Sequence, residues 1–164
     1  MTLARADSNN TVLNKEKINI DELIKEVVKP YVEFAEIEKK EVKLDFKFEK
    51  EILIDRNKIH QLMVILLDNA IKYTENGDSI EILTSQKEGK CVIEVKDTGI
   101  GISDEAIKHV FDRFYREDKS RTRETGGTGL GLSIADWIIN AHGGNIKASH
   151  NGTKGTVFTI KLKI

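Results

Sequence analysis

The sequence predicts an α/β domain in which amphipathic helices alternate with short strands. Three observations lead to this fold class. Residues 18–40 repeat apolar side chains at helical spacing, and residues 57–73 form a second helical run with an almost wholly apolar middle. Residues 79–86 and 90–97 alternate apolar and polar side chains, and the short turn between them contains Gly89, which favours a β-hairpin.

The other elements follow in order along the chain. We expect the first helix to start at Asn19 or Asp21, and Pro30 in its interior predicts a kink or break. The further predicted elements are strands at 42–48 and 52–55, a short helix at 104–110, a helix at 130–141, and strands at 145–150 and 156–163. His142 follows the last helix, where it is expected as a positively charged or donor side chain at the helix end.

Composition fits one domain and excludes several classes of protein. A chain of 164 residues that is 39% hydrophobic can bury a single core without metals or disulfides. The longest wholly apolar run is residues 62–67, so neither a membrane span nor a signal peptide is expected. Cys91 is the only cysteine, and the net charge of −1 provides no field that would attract nucleic acid.

The glycine-rich stretch at residues 126–133 lies directly before an amphipathic helical run. Glycines let the backbone approach an oxyanion, and the free N–H groups of the helix start then point at it. This arrangement predicts a phosphate site, although a flexible hinge is the alternative. A Walker loop ends in Gly-Lys followed by Ser or Thr, whereas Gly89-Lys90 is followed by Cys91. The glycines at 127, 129 and 131 alternate, so they do not fit a dinucleotide fingerprint either.

Two further clusters carry polar side chains suited to a nucleotide. Asp97 ends a predicted strand and begins Asp-Thr-Gly-Ile-Gly-Ile, so a buried carboxylate there can accept from an exocyclic amine, or can be a simple turn residue. Asn69, Lys72 and Tyr73 share one helix face and can offer an oxygen to a metal ion, an ammonium to phosphate and a phenol to the same ligand. A satisfied core amide is the alternative for Asn69.

Taken in order, four segments resemble the N, G1, F and G2 boxes of the ATP-binding catalytic domain of sensor histidine kinases. The segments are residues 66–74, 97–101, 111–116 and 127–133, and the glycine turn at 152–155 resembles the family's last turn. The similarity covers about residues 16–164. It implies the Bergerat ATP-binding fold, a two-layer α/β sandwich in which a mixed, mostly antiparallel sheet packs against helices.

The resemblance implies ATP and Mg²⁺ as cofactors and assigns roles to individual residues. Asp97 would bind adenine, Asn69 would hold Mg²⁺, and Lys72 and Arg116 would neutralise phosphate charge. Tyr73 would line the site. The remaining expected nucleotide contacts are Gly99, Ile100, Gly101, Ile102, Phe114, Gly127, Thr128, Gly129, Leu130, Gly131, Leu132, Ser133 and Thr156.

Residues 112–125 are rich in charge and poor in apolar side chains, which predicts a mobile segment that the resemblance identifies as the ATP lid. Arg121 and Arg123 are expected to belong to a solvated loop. Two hydroxyls, on Thr128 and Ser133, are expected either to reach phosphate or to cap the following helix.

Residues 1–15 resemble the end of a phosphoacceptor and dimerisation helix followed by a linker. None of the four histidines lies in the family's phosphoacceptor motif, so the resemblance implies a histidine on an upstream domain and a cognate response regulator as partners. It implies the cytoplasmic part of a membrane-anchored bacterial sensor, homodimeric as a whole, with this fragment a monomer that contacts neither membrane nor nucleic acid.

Ile65 departs from the family pattern, which carries asparagine at this position, or glutamate as general base in related ATPases. An isoleucine can neither contact phosphate nor activate water, which argues against autonomous ATP hydrolysis. The alternatives to a histidine kinase are a nucleotide-driven clamp, an anti-sigma serine kinase on the same fold, and a domain that binds nucleotide without transferring phosphate.

Overall fold

The computed structural model describes residues 12–115 and 130–164. These residues form four helices and seven strands. In chain order they are β1 (Lys15–Asn19), α1 (Ile20–Ile37), β2 (Glu41–Phe46), β3 (Glu51–Asp55), α2 (Arg56–Lys72), β4 (Ser79–Lys87), β5 (Lys90–Asp97), α3 (Asp104–Ile107), α4 (Gly131–Ala141), β6 (Asn145–His150) and β7 (Thr156–Lys163).

Five strands form the main sheet in the order β2-β4-β5-β7-β6, and β1 pairs with β3 in a separate two-stranded sheet. Only the β2–β4 pairing is parallel among the strand pairs of the described residues. The hairpin of β4 and β5 and the helix before it, α2, lie within one residue of their predicted bounds. The mixed, mostly antiparallel sheet that the resemblance implied is confirmed.

The core lies between one face of the main sheet and the helices α1, α2 and α4. Strand alternation turns Ile80 and Ile82 of β4 and Ile93 of β5 toward the helices, and each is at most 2% exposed. The middle helix, α2, packs against both α1 and α4, which explains why its sequence is apolar on nearly every face. The result is a two-layer sandwich with α2 at its centre.

The first helix begins at Ile20 with Asn19 as its cap, so the predicted start at Asn19 is confirmed, although the helical pattern itself began at residue 18. Residue Ile18 belongs to β1 and pairs with Ile52 across the small sheet, an interaction with no local signal in the sequence. Asn19 caps the helix by accepting a hydrogen bond from the Glu22 N–H at 3.1 Å. The helix ends at Ile37 instead of residue 40, and Lys39 adopts a left-handed φ of 57°.

Of the kink or break predicted at Pro30, the break is wrong, because α1 continues as one helix through that residue. A proline removes one backbone hydrogen bond of the helix, and this cost is local. The apolar face of α1 outweighs it, since Leu23, Ile24, Val27 and Val28 are each at most 3% exposed. Tertiary packing therefore overrides the local preference here.

Other boundaries differ by a few residues. Strand β2 ends at Phe46 because the N–H groups of Lys47 and Phe48 turn to donate to Thr84 Oγ1 at 3.1 and 3.3 Å. Helix α3 ends at Ile107 instead of residue 110. Cys91 is buried in β5, where burial raises the pKa of its thiol to about 12 and keeps it protonated. Within the described residues, the helices are all too short or too polar to span a bilayer.

Candidate functional site

Asp97 ends β5 and is held at the edge of the sheet by backbone donors. Its Oδ1 accepts hydrogen bonds from Gly99 N at 2.9 Å and from Thr156 N, the first residue of β7, at 3.3 Å. The Asn151 side-chain amide donates to the backbone carbonyl of Asp97 at 2.8 Å. Asp97 is only 6% exposed, and both of these backbone donors to its carboxylate bind Oδ1 and not Oδ2.

Burial raises the pKa of the Asp97 carboxyl above its usual range, and the nearby Asp78 carboxylate acts in the same direction. The Gly99 and Thr156 N–H groups oppose this rise because they stabilise the ionised form. A carboxylate in this environment gains more from a new hydrogen-bond donor than a solvated one does. Oδ2 is therefore suited to accept from an amine of a bound ligand.

Two glycines allow three chain segments to meet at Asp97. A Cβ on Gly99 would lie 2.0 Å from the Tyr73 carbonyl oxygen, and one on Gly155 would lie 1.9 Å from the Asp97 carbonyl oxygen. The Ile100 N–H donates to the same Tyr73 oxygen at 3.0 Å. The loop after β5, the turn before β7 and the end of α2 are thus in direct contact, and no larger residue fits at either glycine.

The predicted face of α2 lies at this junction. Tyr73 caps the helix, and its N–H donates to the Asn69 carbonyl at 3.2 Å. Asn69 is half-buried and Lys72 is exposed. The partial exposure of Asn69 is compatible with a ligand contact, and its role stays a prediction.

The start of α4 packs against α2 one turn before Asn69. A Cβ on Gly131 would lie 3.4 Å from Ile65 Cγ2, so Ile65 contacts the first residue of α4. The Ser133 hydroxyl donates to the Leu130 carbonyl at 2.7 Å, so it does not cap the helix. The first N–H groups of α4 remain without a side-chain cap among the described residues, which fits the predicted anion site.

The remaining predicted residues lie in different environments. Ile100 is 40% exposed, and Phe114 is 67% exposed with a left-handed φ of 64°. Gly101 has a φ of +74° and lies against Gly155, and Ile102 and Leu132 are half-buried. Arg116, Gly127, Thr128 and Gly129, with Arg121, Arg123 and most of the predicted lid, lie outside the described residues.

Sequence reasoning did not assign three residues that build the surroundings of Asp97. They are Asn151, Gly155 and Thr98. The Thr98 Oγ1 accepts a hydrogen bond from Ser79 N at 2.9 Å and donates one to the Asp78 carboxylate at 3.2 Å. For Gly155 the sequence carried a signal of a tight turn, because the residue belongs to the glycine turn at 152–155. For Asn151 the sequence carried no signal of its contact, since its hydrogen-bond partner, Asp97, lies 54 residues earlier in the chain.

The described residues do not offer a metal site of their own. No three His, Cys, Asp or Glu side chains cluster within residues 12–115 and 130–164. Asn69 offers one amide oxygen, and Mg²⁺ normally takes few protein ligands when phosphates and water supply the rest. The donor set fits Mg²⁺ that arrives with a polyphosphate and does not fit a free ion.

The family model of histidine kinase-, DNA gyrase B- and HSP90-like ATPases matches residues 54–164, from the end of β3 to the end of the chain. The chain belongs to this family. The matched region contains all four boxes read from the sequence, together with α2, Asp97 and the start of α4. The resemblance stated above is thereby confirmed, and this domain is an ATP-binding catalytic domain of the histidine kinase type.

Two curated relatives are bacterial sensor proteins. Sensor protein CiaH of Streptococcus pneumoniae is 47% identical over 123 residues, which cover 73% of this chain. Sensor protein SrrB of Staphylococcus aureus is 37% identical over 162 residues, which cover 99% of it. The chain spans 28% of the length of each of these relatives.

Solved histidine kinases share the fold. The nucleotide-free catalytic domain of histidine kinase ThkA superposes with a TM-score of 0.81 at 28% identity, covering 92% of this chain and 96% of that one. Full-length ShkA in complex with AMPPNP gives a TM-score of 0.84 at 24% identity, covering 98% of this chain and 33% of that one, and supports the fold alone. ThkA in complex with the response regulator TrrA gives a TM-score of 0.80 at 27% identity, covering 98% of this chain and 45% of that one.

Proposed function

We propose that this domain binds Mg-ATP and transfers its γ-phosphoryl group to a histidine on another domain of the same kinase. The phosphoryl group leaves the β-phosphate oxygen and bonds to an imidazole nitrogen, so that ADP is released. In this proposal the contribution of the domain is positioning and charge neutralisation, with no covalent intermediate on its own residues. The observation that carries the proposal is the arrangement along α2, whose end contacts the loop of Asp97 and whose residue Ile65 contacts the uncapped start of α4.

Each predicted residue has a proposed role in this reaction. Asp97 accepts a hydrogen bond from the exocyclic amine of adenine through Oδ2, and its burial supports this role. The Asn69 amide oxygen coordinates the Mg²⁺ that accompanies ATP, and the ion offsets phosphate charge when bound. Lys72 and Arg116 add positive charge at the phosphates, and the backbone from Gly127 to Gly131 donates to them.

Further members of the site have proposed packing roles. Tyr73, Ile100 and Phe114 line the nucleotide, and the glycine turns let it approach the backbone. These contacts are completed by Gly99, Gly101, Ile102, Thr128, Gly129, Leu130, Leu132, Ser133 and Thr156. Because Ile65 cannot activate water, the bound ATP is protected from direct hydrolysis and is kept for transfer to the histidine.

The partners follow from the same proposal. The phosphoacceptor histidine belongs to an upstream domain, with residues 1–15 as the end of its helix and the linker. A response regulator then takes the phosphoryl group, as the complex of ThkA with TrrA supports. We propose that the parent is a homodimeric, membrane-anchored bacterial sensor with this domain in the cytoplasm, and that the isolated fragment is a monomer without contact to nucleic acid or membrane.

A transfer assay tests the proposal directly. The domain is incubated with ATP labelled at the γ-phosphate, Mg²⁺ and the separately produced histidine-bearing domain of the parent. We expect an acid-labile, base-stable label on the added domain, and no label when its histidine is replaced by glutamine. Mg-dependent binding without any transfer would contradict the kinase activity and leave a nucleotide-binding domain as the function.

A further inference from the structure

Asp55 joins three parts of the chain through hydrogen bonds at the start of α2. Its Oδ1 caps the helix by accepting from Lys58 N at 3.2 Å, and its Oδ2 accepts from the backbone N–H of Asn14 at 3.0 Å. Its own N–H donates to His142 Nε2, at the end of α4, at 3.1 Å. The residue is 8% exposed, so these bonds compete little with water.

His142 completes this junction because both of its ring nitrogens have partners. Nδ1 donates to the Ile138 carbonyl of α4 at 2.8 Å, which leaves Nε2 as the acceptor for Asp55. The ring is therefore the neutral tautomer, and the expectation of a donor at the helix end is confirmed while that of a positive charge is wrong. The charged groups around it are Lys15 of β1, Asp55, and the Lys163 ammonium beside Gly143.

The same two helices meet again near the nucleotide site. At that end Ile65 of α2 contacts Gly131 of α4, and between the two ends the Lys58 ammonium lies 5.5 Å from the Trp137 ring centroid. Asn69 follows Asp55 by fourteen residues, which is about 21 Å along the helix. Since a helix moves as a stiff unit over this length, a shift at Asp55 changes the position of Asn69 relative to the start of α4.

We propose that Asp55, with His142, is a positioning residue that couples the segment entering the domain at Asn14 to nucleotide affinity at the far end of α2 and α4. The inference rests on the proposed nucleotide binding and adds a route by which an upstream domain can act on it. Coupling between two sites is reciprocal, so bound nucleotide must also strengthen the Asn14 hydrogen bond.

The first test is hydrogen exchange of the Asn14 amide in the wild-type chain, measured with and without saturating Mg-AMPPNP. We expect nucleotide to slow this exchange by about fivefold, at the low end of allosteric coupling. A purely structural hydrogen bond that opens locally, independent of the nucleotide site, would exchange at the same rate in both states, whereas amides that exchange only through global unfolding are slowed by any ligand of the folded chain. This measurement needs no variant and so does not depend on how a substitution affects folding.

Two variants then act on the Asn14 bond from opposite sides. Asp55→Asn has only one acceptor oxygen, so it cannot accept from both Lys58 N and Asn14 N, and the Asn14 bond is lost when that oxygen caps α2. Asn14→Pro removes the donor and leaves Asp55 and His142 unchanged. We expect both to weaken Mg-AMPPNP by about fivefold. Asp45→Asn, which removes a surface carboxylate of β2, is the matched control and should bind as the wild type does.

The outcomes separate the two proposals. Unchanged nucleotide affinity in both variants, with Asn14 exchange insensitive to nucleotide, would overturn the coupling and leave the proposed function intact. A wild-type chain that binds no Mg-AMPPNP at all would overturn the proposed function, and the coupling with it. Weaker binding in both variants together with nucleotide-dependent Asn14 exchange would establish the coupling.

Discussion

Replacing Gly99 by alanine tests whether close packing of three segments builds the nucleotide site. The new Cβ would lie 2.0 Å from the Tyr73 carbonyl oxygen and 3.1 Å from Asp97 Oδ1. Carbon and oxygen approach no closer than about 3.3 Å in favourable contacts, so the loop and the end of α2 must separate by about 1 Å. The backbone of Tyr73 is tied into α2 and cannot turn aside.

The cost follows from the bonds that this separation stretches. They are the 3.0 Å bond from Ile100 N to the Tyr73 carbonyl, of about 1 kcal/mol, and the 2.9 Å bond from Gly99 N to the Asp97 carboxylate, of about 2 kcal/mol. We therefore expect Gly99→Ala to lower the free energy of unfolding by about 3 kcal/mol. In urea this shifts the midpoint by about 1 M or more.

The matched control is Gly89→Ala in the β4–β5 turn. Gly89 has a φ of +73° and nothing within 4 Å of its Cβ position, so alanine there costs only the left-handed conformation, about 1 kcal/mol. Urea unfolding followed by circular dichroism, together with calorimetric nucleotide titration, distinguishes the two variants. Equal urea midpoints for Gly99→Ala and Gly89→Ala, with nucleotide affinity unchanged in Gly99→Ala, would show that close packing at Gly99 does not build the nucleotide site.

Three further predictions follow from the described residues. Burial lowers the pKa of His142, so the unfolded chain binds this proton more readily, and the free energy of unfolding should fall as the pH drops below about 6.5. In His142→Gln, urea titrations over that pH range should show a smaller dependence of the free energy of unfolding on pH. An unchanged dependence would contradict this role of His142. Asn69→Ala should abolish the Mg²⁺ dependence of nucleotide binding in calorimetry, and retention of that dependence would exclude Asn69 as a ligand. Ile65→Glu, which places a carboxylate where the related ATPases carry their general base, should raise the rate of ATP hydrolysis in a phosphate-release assay by a measurable factor; an unchanged rate would show that Ile65 does not protect ATP.

The sequence predicted the elements with strong periodicity and missed those set by distant partners. Helix α2 and the β4–β5 hairpin follow from hydrophobic spacing and a glycine turn, which are local signals. Strand β1 has no such signal, because its five residues are mostly charged and polar and it is stabilised by pairing with β3 more than thirty residues later. The break predicted at Pro30 does not occur, because the core packing of α1 outweighs one lost hydrogen bond.

The candidate site shows the same division between local and distant information. Asp97, Asn69 and the glycine stretch were predicted from their residue types and spacing. The contacts of Asp97 with Thr156 N and Asn151 could not be, because each joins segments more than fifty residues apart. His142 was expected as a positive charge or a donor, and the neutral ring could not be predicted for a similar reason. Its Nε2 accepts a hydrogen bond from the N–H of Asp55, which lies 87 residues away in the chain.

The binding of nucleotide by Asp97 is best measured by calorimetric titration of the wild type and Asp97→Asn with Mg-AMPPNP, alongside urea unfolding of both. Asparagine keeps the Oδ1 acceptor for Gly99 and Thr156, and it removes a buried charge whose raised pKa shows that ionisation opposes folding. We predict that Asp97→Asn loses nucleotide affinity by at least about tenfold while its stability is equal or higher. Unchanged affinity in Asp97→Asn would show that Asp97 does not bind the nucleotide.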